Sequence, residues 1–73
     1  MKTIPINIDC GENFGRYRLF EEQPITRLAS FANVACGFHA GDYTSIIATL
    51  ELMKSNGIKI GAHPSFPDLQ GFG

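Results

Sequence analysis

The sequence predicts an α/β fold with a parallel sheet, in the order strand, loop, strand, helix, strand. Short apolar segments end at polar or glycine residues near positions 9, 36 and 63, and an amphipathic helix lies between the last two. A strand–helix–strand unit favours parallel pairing with a right-handed crossover. At 73 residues, with no repeat or linker, the chain is at most one small domain.

The first strand is predicted by the alternating isoleucines Ile4, Ile6 and Ile8, and it ends near Asp9. Pro5 has no N–H to donate, so we expect it at the start of the strand or on a sheet edge. Residues 10–23 are polar and contain glycines, which predicts a long ordered loop that ends at Pro24.

A helical turn is expected at 25–28, and the apolar stretch 31–36 predicts a buried second strand. After a tight loop, Asp42 is the expected N-cap of a helix over about 43–56, and Gly57 follows where a left-handed residue ends a helix. The expected apolar face of that helix consists of Ile46, Ile47, Leu50 and Met53. Residues 58–63 then alternate as a third strand, which Pro64 ends.

Composition excludes several classes of protein. The net charge of −1 argues against a nucleic-acid binder or a polybasic membrane anchor, and no apolar run approaches the ~18 residues of a membrane span. The first residues lack the apolar core of a signal peptide, so we expect a cytoplasmic protein. Cys10 and Cys36 are too few for a disulfide scaffold and are expected to be reduced, with no catalytic role.

Acidic and imidazole side chains follow all three predicted strands. In parallel α/β folds, ligands bind outside the carboxyl ends of the strands, so these residues predict one site at that rim. The candidate residues are Asp9 and Glu12 after the first strand, Asn33 within the second, His39 and Asp42 after it, and His63 and Asp68 after the third.

Each candidate also has a purely structural interpretation. Asp42 caps the helix in either case, and Asp9 and Glu12 could be solvated carboxylates in a turn instead of a general base or Mg²⁺ ligands. Two histidines beside small residues favour a metal or acid–base role over isolated polar groups. Glycines such as Gly37 either make turns or admit a phosphate to the backbone. The sequence contains no standard nucleotide-binding motif.

Three motifs together resemble the LamB/YcsF family over essentially the whole chain. They are NIDCGENFG at 7–15, NVACGFHAGD at 33–42, and GAHPSFPD at 61–68 running into GFG at 71–73. The resemblance implies a variant (β/α) barrel related to metal-dependent polysaccharide deacetylases. It also implies ATP-dependent opening of the lactam 5-oxoproline (pyroglutamate) to L-glutamate by a 5-oxoprolinase, together with partner subunits B and C.

The resemblance supports the location of the site more than the roles of its residues, and the following roles are our hypothesis. Catalysis would rest on Asp9, Glu12, His39 and His63, while Asn7, Asn33, Gly37, Asp42 and Asp68 would bind substrate or nucleotide. The expected cofactors are ATP with Mg²⁺, and a further divalent metal would be held by His39, His63 and Asp9. No nucleic acid or membrane partner is expected.

Length limits what the segment can do alone. A (β/α)₈ barrel typically needs about 250 residues, so three strands cannot close one. We therefore expect residues 1–73 to be the N-terminal portion of a barrel, a single partial domain that is inactive in isolation. The alternatives are a metal-dependent deacetylase-like hydrolase on the same scaffold and a non-catalytic remnant or assembly module.

Overall fold

Three parallel strands and two helices make up the described part of the fold. The structure is a computed structural model and describes residues 3–18 and 22–73. The elements are β1 (Asn7–Cys10), α1 (Glu22–Thr26), β2 (Phe31–Ala35), α2 (Tyr43–Ser55) and β3 (Lys59–His63). The strands pair in the order β1-β2-β3, which confirms the predicted parallel sheet and its strand–loop–strand–helix–strand order.

Strand register separates the residues into two faces of the sheet. Ile8, Ala32 and Ile60 are in register, and so are Asp9, Asn33 and Gly61 one position further on. Because successive side chains point to opposite faces, the first row belongs to the core side and the second to the polar side. The buried core consists of Cys10, Ala32, Val34, Met53 and Ile58, with Ile8, Ala29, Ile46, Leu50 and Leu52 packed around it.

Helix α2 has well-formed ends. The Asp42 carboxylate accepts a hydrogen bond from the Ser45 N–H at 3.0 Å, as an N-cap should. At the other end, the N–H of Gly57 donates to the Lys54 carbonyl and that of Ile58 to the Met53 carbonyl, the two bonds of a Schellman motif. The predicted span and cap are therefore confirmed. The predicted apolar face of α2 includes one residue too many, because Ile47 is 40% exposed.

The first strand and first helix differ from their predictions. Strand β1 begins at Asn7, so Pro5 precedes it and Ile4 is solvent-exposed. Helix α1 begins three residues before the predicted helical turn and includes Pro24 as its third residue. Proline is tolerated there because the first N–H groups of a helix have no intrahelical partner. Part of the predicted loop, residues 19–21, lies outside the described residues.

The sheet stays open at β3. An apolar groove of about 370 Å³ runs between α2 and β3, with Ile46, Leu50 and Ile60 in its walls. Open edges and one uncovered apolar groove are what a portion of a larger barrel would present. Among the described residues, neither helix has the length and apolar character needed to cross a membrane, the longer one having 13 residues.

Gly41 allows the loop after β2 to touch the loop after β1. A Cβ at Gly41, whose φ is +83°, would lie 2.7 Å from the Gly11 carbonyl oxygen. Gly57 also has a positive φ, of +67°, but a Cβ there would meet nothing within 4 Å. We predict that Gly57→Ala costs about 1–2 kcal/mol of unfolding free energy, the left-handed penalty alone.

Gly41→Ala should cost at least about 1 kcal/mol more than this control, because the methyl group adds a steric clash with backbone. Urea denaturation of the two variants measures the difference. Equal losses of stability would show that the close approach of the two loops is not maintained in solution.

Candidate active site

The predicted rim brings together residues from all three strands. Asp9 lies near the end of β1 and Asn33 lies beside it on β2, while His63 is the last residue of β3. Glu12 and His39 reach the same place from the loops that follow β1 and β2. Five of the residues that sequence reasoning placed at this rim therefore form one cluster.

Glu12 and His39 form its buried part. Oε2 of Glu12 lies 3.1 Å from Nε2 of His39, and their side chains are 10% and 2% exposed. The His39 ring also packs against that of His63, with centroids 4.6 Å apart. Nδ1 of His39 is buried and has no hydrogen-bond partner among the described residues, and the same is true of Nδ1 of His63.

Asp9 and His63 form its accessible part. Oδ1 of Asp9 lies 3.8 Å from Nδ1 of His63, and their side chains are 55% and 33% exposed. The side-chain amide of Asn33 donates to Asp9 at 3.2 Å and to Asn7 at 2.9 Å. A Cβ at Gly61 would lie 3.0 Å from Oδ1 of Asn33, so the glycine leaves room for this amide. The amide thus holds the Asp9 carboxylate beside His63.

Glu22 is a site-building residue that sequence reasoning missed. Its carboxylate is buried and accepts hydrogen bonds from the backbone N–H of Gly11 at 2.8 Å and of Glu12 at 3.3 Å. It therefore holds the turn that carries the Glu12 side chain toward His39. The one available signal is the acidic residue shortly before Pro24, which is typical of the first turn of a helix.

Asp68 supports the site from outside the cluster. Its carboxylate accepts the N–H of Gly71 at 2.8 Å, and its own N–H donates to the Phe38 carbonyl at 3.1 Å. This turn brings the Phe72 ring edge-on to His39, with centroids 4.8 Å apart. The Phe72 ring therefore forms an aromatic wall of the site beside the buried imidazole.

Asp42 and Gly37 also shape loops, and the hydrogen bonds they make among the described residues are to positions outside the cluster. Besides capping α2, Asp42 accepts the backbone N–H of Gly15 in the loop after β1. The hydrogen bonds from Gly15 and then from Ser45 lower the pKa of Asp42 below its ordinary value of 3.8. Gly37 donates its N–H to the Ala40 carbonyl at 3.0 Å and closes the turn that carries His39.

Cys10 is the buried last residue of β1 and is unsuited to catalysis. Burial raises its pKa to about 12, and the negative charges of Glu22, Glu12 and Asp9 add to the shift. The thiol is therefore neutral at physiological pH, whereas a nucleophile needs the thiolate. This agrees with the expectation of a reduced, non-catalytic cysteine.

The donor atoms of Glu12, His39 and His63 all lie within 4.8 Å of one another, so these residues are the candidate metal ligands. Fold and site together define an α/β protein with a carboxylate–imidazole site at the carboxyl ends of parallel strands. The family model of the LamB/YcsF family matches residues 4–73. The chain therefore belongs to the LamB/YcsF family, as its motifs predicted.

Several relatives of known name match the whole chain. It is 52% identical to the A subunit of 5-oxoprolinase from Campylobacter jejuni and 47% identical to that from Ruegeria pomeroyi, over 73 residues in both cases. The crystal structure of the lactam utilization protein from Thermus thermophilus matches 99% of the chain with a TM-score of 0.91 and 43% identity. The chain spans 29% of the length of each of these proteins.

We predict that Glu22→Gln destabilises the protein by roughly 1–3 kcal/mol, because an amide keeps one acceptor and loses the charge that strengthens both hydrogen bonds. Glu51→Gln, on the exposed face of α2, is the matched control and should stay within about 0.5 kcal/mol of the parent. Chemical denaturation gives the energies, and amide NMR shifts at Gly11 and Glu12 report the turn. Unchanged shifts in Glu22→Gln would contradict the role given to Glu22.

The lowered pKa of Asp42 predicts a pH-dependent contribution to stability. A folded-state pKa below the unfolded value of 3.8 stabilises the fold above that pH, and the gain disappears as pH falls through the folded-state pKa. The parent should therefore have a higher melting temperature than Asp42→Asn at neutral pH, because asparagine caps without charge. The difference in melting temperature should vanish once the pH falls below the folded-state pKa of Asp42. A difference in melting temperature that does not change with pH would contradict a stabilising charge on Asp42.

Proposed function

We propose that this chain is part of a hydrolase that opens the lactam 5-oxoproline to L-glutamate with consumption of ATP. The observation that carries the proposal is the cluster of two carboxylates and two imidazoles at the rim of the sheet, where Oε2 of Glu12 lies 3.1 Å from His39 and Asp9 stands beside His63. The relatives are named for 5-oxoprolinase and for lactam utilization, and these names support a lactam as the substrate.

The chemistry of a lactam explains the need for ATP. A five-membered cyclic amide is stable to water, and transfer of a phosphoryl group from ATP to its carbonyl oxygen makes the carbon electrophilic. Water then adds to this carbon, the carbon–nitrogen bond breaks, and the nitrogen takes up a proton. A second water releases phosphate from the resulting acyl phosphate. Such a site needs a base for water and positive charge near the phosphoryl oxygens.

Asp9 is the better placed of the two candidate bases. It is more than half exposed, so water and substrate reach it, and the Asn33 amide holds its carboxylate in place. Glu12 is nearly buried and engaged with His39. The imidazoles of His39 and His63 would stabilise the negative charge that develops on the substrate, directly or through a cation that they hold.

Polar groups around the cluster would bind the substrate and the nucleotide. Asn7 and Asn33 present amide groups on the polar side of the sheet beside Asp9, where they would contact polar atoms of the substrate. Binding of substrate or nucleotide by Gly37, Asp42 and Asp68 stays a prediction. ATP with Mg²⁺ as cofactor and subunits B and C as partners belong to the same proposal, since the relatives are named as one subunit of an assembly.

A metal-dependent hydrolase of the deacetylase type is the second candidate. The observation in its favour is the group Glu12, His39 and His63, whose donor atoms are close enough to share an ion. In that reaction a metal activates water and no nucleotide is consumed. Dependence of turnover on ATP therefore separates the two candidates.

The test uses a chimera in which this chain replaces the aligned segment of the C. jejuni relative, assembled with the B and C subunits of that organism. We predict glutamate formation that requires both 5-oxoproline and ATP. His63→Ala should lower the turnover at least about 100-fold, because the site loses a group that stabilises developing charge.

Glu51→Gln is the matched control in the chimera and should leave the turnover unchanged, since this side chain lies on the exposed face of α2. Circular dichroism of His63→Ala checks that the fold is kept. Near-normal turnover in a folded His63→Ala chimera would refute the role of the cluster. Glutamate formation without ATP would favour the second candidate.

A further inference from the structure

We propose that Glu12, His39 and His63 bind one divalent transition-metal ion of the Zn²⁺ type, distinct from the Mg²⁺ that would accompany ATP. The chain itself would hold this ion whether or not the lactam is the substrate. The third ligand beside the two histidines is Glu12, in place of Asp9.

The spacing of the donor atoms supports the site. All three lie within 4.8 Å of one another, and Glu12 and His39 are already at 3.1 Å. Two ligands that each lie about 2.1 Å from one tetrahedral ion are about 3.4 Å apart. A pair at the upper limit of 4.8 Å would therefore have to approach by about 1.4 Å for an ion to be bound.

The unpartnered histidine nitrogens are an independent indication. His39 is 3% exposed, and its Nδ1 is buried without a hydrogen-bond partner among the described residues. Nδ1 of His63 is in the same state. Buried polar atoms are nearly always paired, so two unpaired imidazole nitrogens in one cluster indicate that the described residues alone do not complete its polar contacts. The ion pair between Glu12 and Nε2 of His39 provides no partner for Nδ1 of either imidazole ring.

The charge of the cluster favours a cation. Across residues 3–18 and 22–73, the salt-bridge partners of the Asp9 and Glu12 carboxylates are His63 and His39, with no lysine or arginine among them. No lysine or arginine among the described residues therefore offsets the negative charge of these two carboxylates, and a divalent ion would do so.

The donor types define the class of metal. Two imidazole nitrogens and one carboxylate suit Zn²⁺ and its first-row neighbours, whereas Mg²⁺ prefers oxygen ligands and keeps several waters. If the ion binds Nε2 of His63, Asp9 is placed as an outer partner, because its carboxylate is hydrogen-bonded by Asn33 and lies 3.8 Å from Nδ1 of the same ring.

The experiment is a titration of the chain with Co²⁺, followed by its visible absorption bands. We expect saturation at one Co²⁺ per chain, displacement by Zn²⁺, and no displacement by excess Mg²⁺. Cys36→Ser should bind Co²⁺ as the parent does, with no thiolate band in the near ultraviolet. Glu51→Gln is the matched carboxylate control and should also bind normally, since its side chain is exposed on α2.

Variants of the cluster identify the ligands. Glu12→Gln and His63→Gln should weaken Co²⁺ binding at least about 100-fold, while Asp9→Asn, as an outer partner, should weaken it about 10- to 100-fold. His63 is partly exposed, so His63→Gln remains informative if a substitution of the buried His39 prevents folding.

Absence of saturable Co²⁺ binding by the folded parent would overturn the proposal, and so would normal binding by a folded His63→Gln variant. A complete loss in Asp9→Asn with no loss in Glu12→Gln would overturn the choice of Glu12 as ligand. ATP-dependent turnover by the chimera is measured separately. Failure of the metal site and failure of the proposed hydrolase are therefore distinguishable.

Discussion

Parallel pairing of three short strands is the constraint on which the rest of the structure depends. Because the strands run the same way, their carboxyl ends meet at one edge, and the residues that follow them converge although they are far apart in sequence. Glu12 and His39 are 27 positions apart and come within 3.1 Å. An antiparallel arrangement of the same strands would place the polar ends on opposite edges, and no cluster would form.

The strands bring the polar residues close, but two carboxylates determine the shape of the loops. One is the buried carboxylate of Glu22, and the other is the capping carboxylate of Asp42. Glu22 holds the turn that carries Glu12, and Asp42 joins the loop after β1 to the start of α2. Both carboxylates accept hydrogen bonds from backbone N–H groups, so they position neighbouring residues from outside the cluster. Acidic residues near one another would normally repel, and each carboxylate here is stabilised by donors of its own.

Sequence patterns identified the elements with the strongest local signals. Helix α2 has a capping aspartate, a glycine after its end and apolar residues at helical spacing, and its bounds were predicted within one residue. The isoleucines at 4, 6 and 8 predicted a strand but not its start, because pairing begins where β2 provides a partner, at Phe31 opposite Asn7. Glu22 could not be identified from sequence, since its role arises from contacts with residues 10 and 11 positions away.

The site occupies one face of the sheet, which leaves the other face for the apolar core. One face carries the apolar core, while the other carries Asn7, Asp9, Asn33 and His63, whose side chains bond to one another instead of packing. Gly61 has no side chain, which leaves room for the Asn33 amide. A face used in this way contributes little hydrophobic stabilisation, so the stability of the sheet depends on the opposite face, where Met53 of α2 belongs to the core. Packing against α2 therefore stabilises the sheet while its polar face remains free for chemistry.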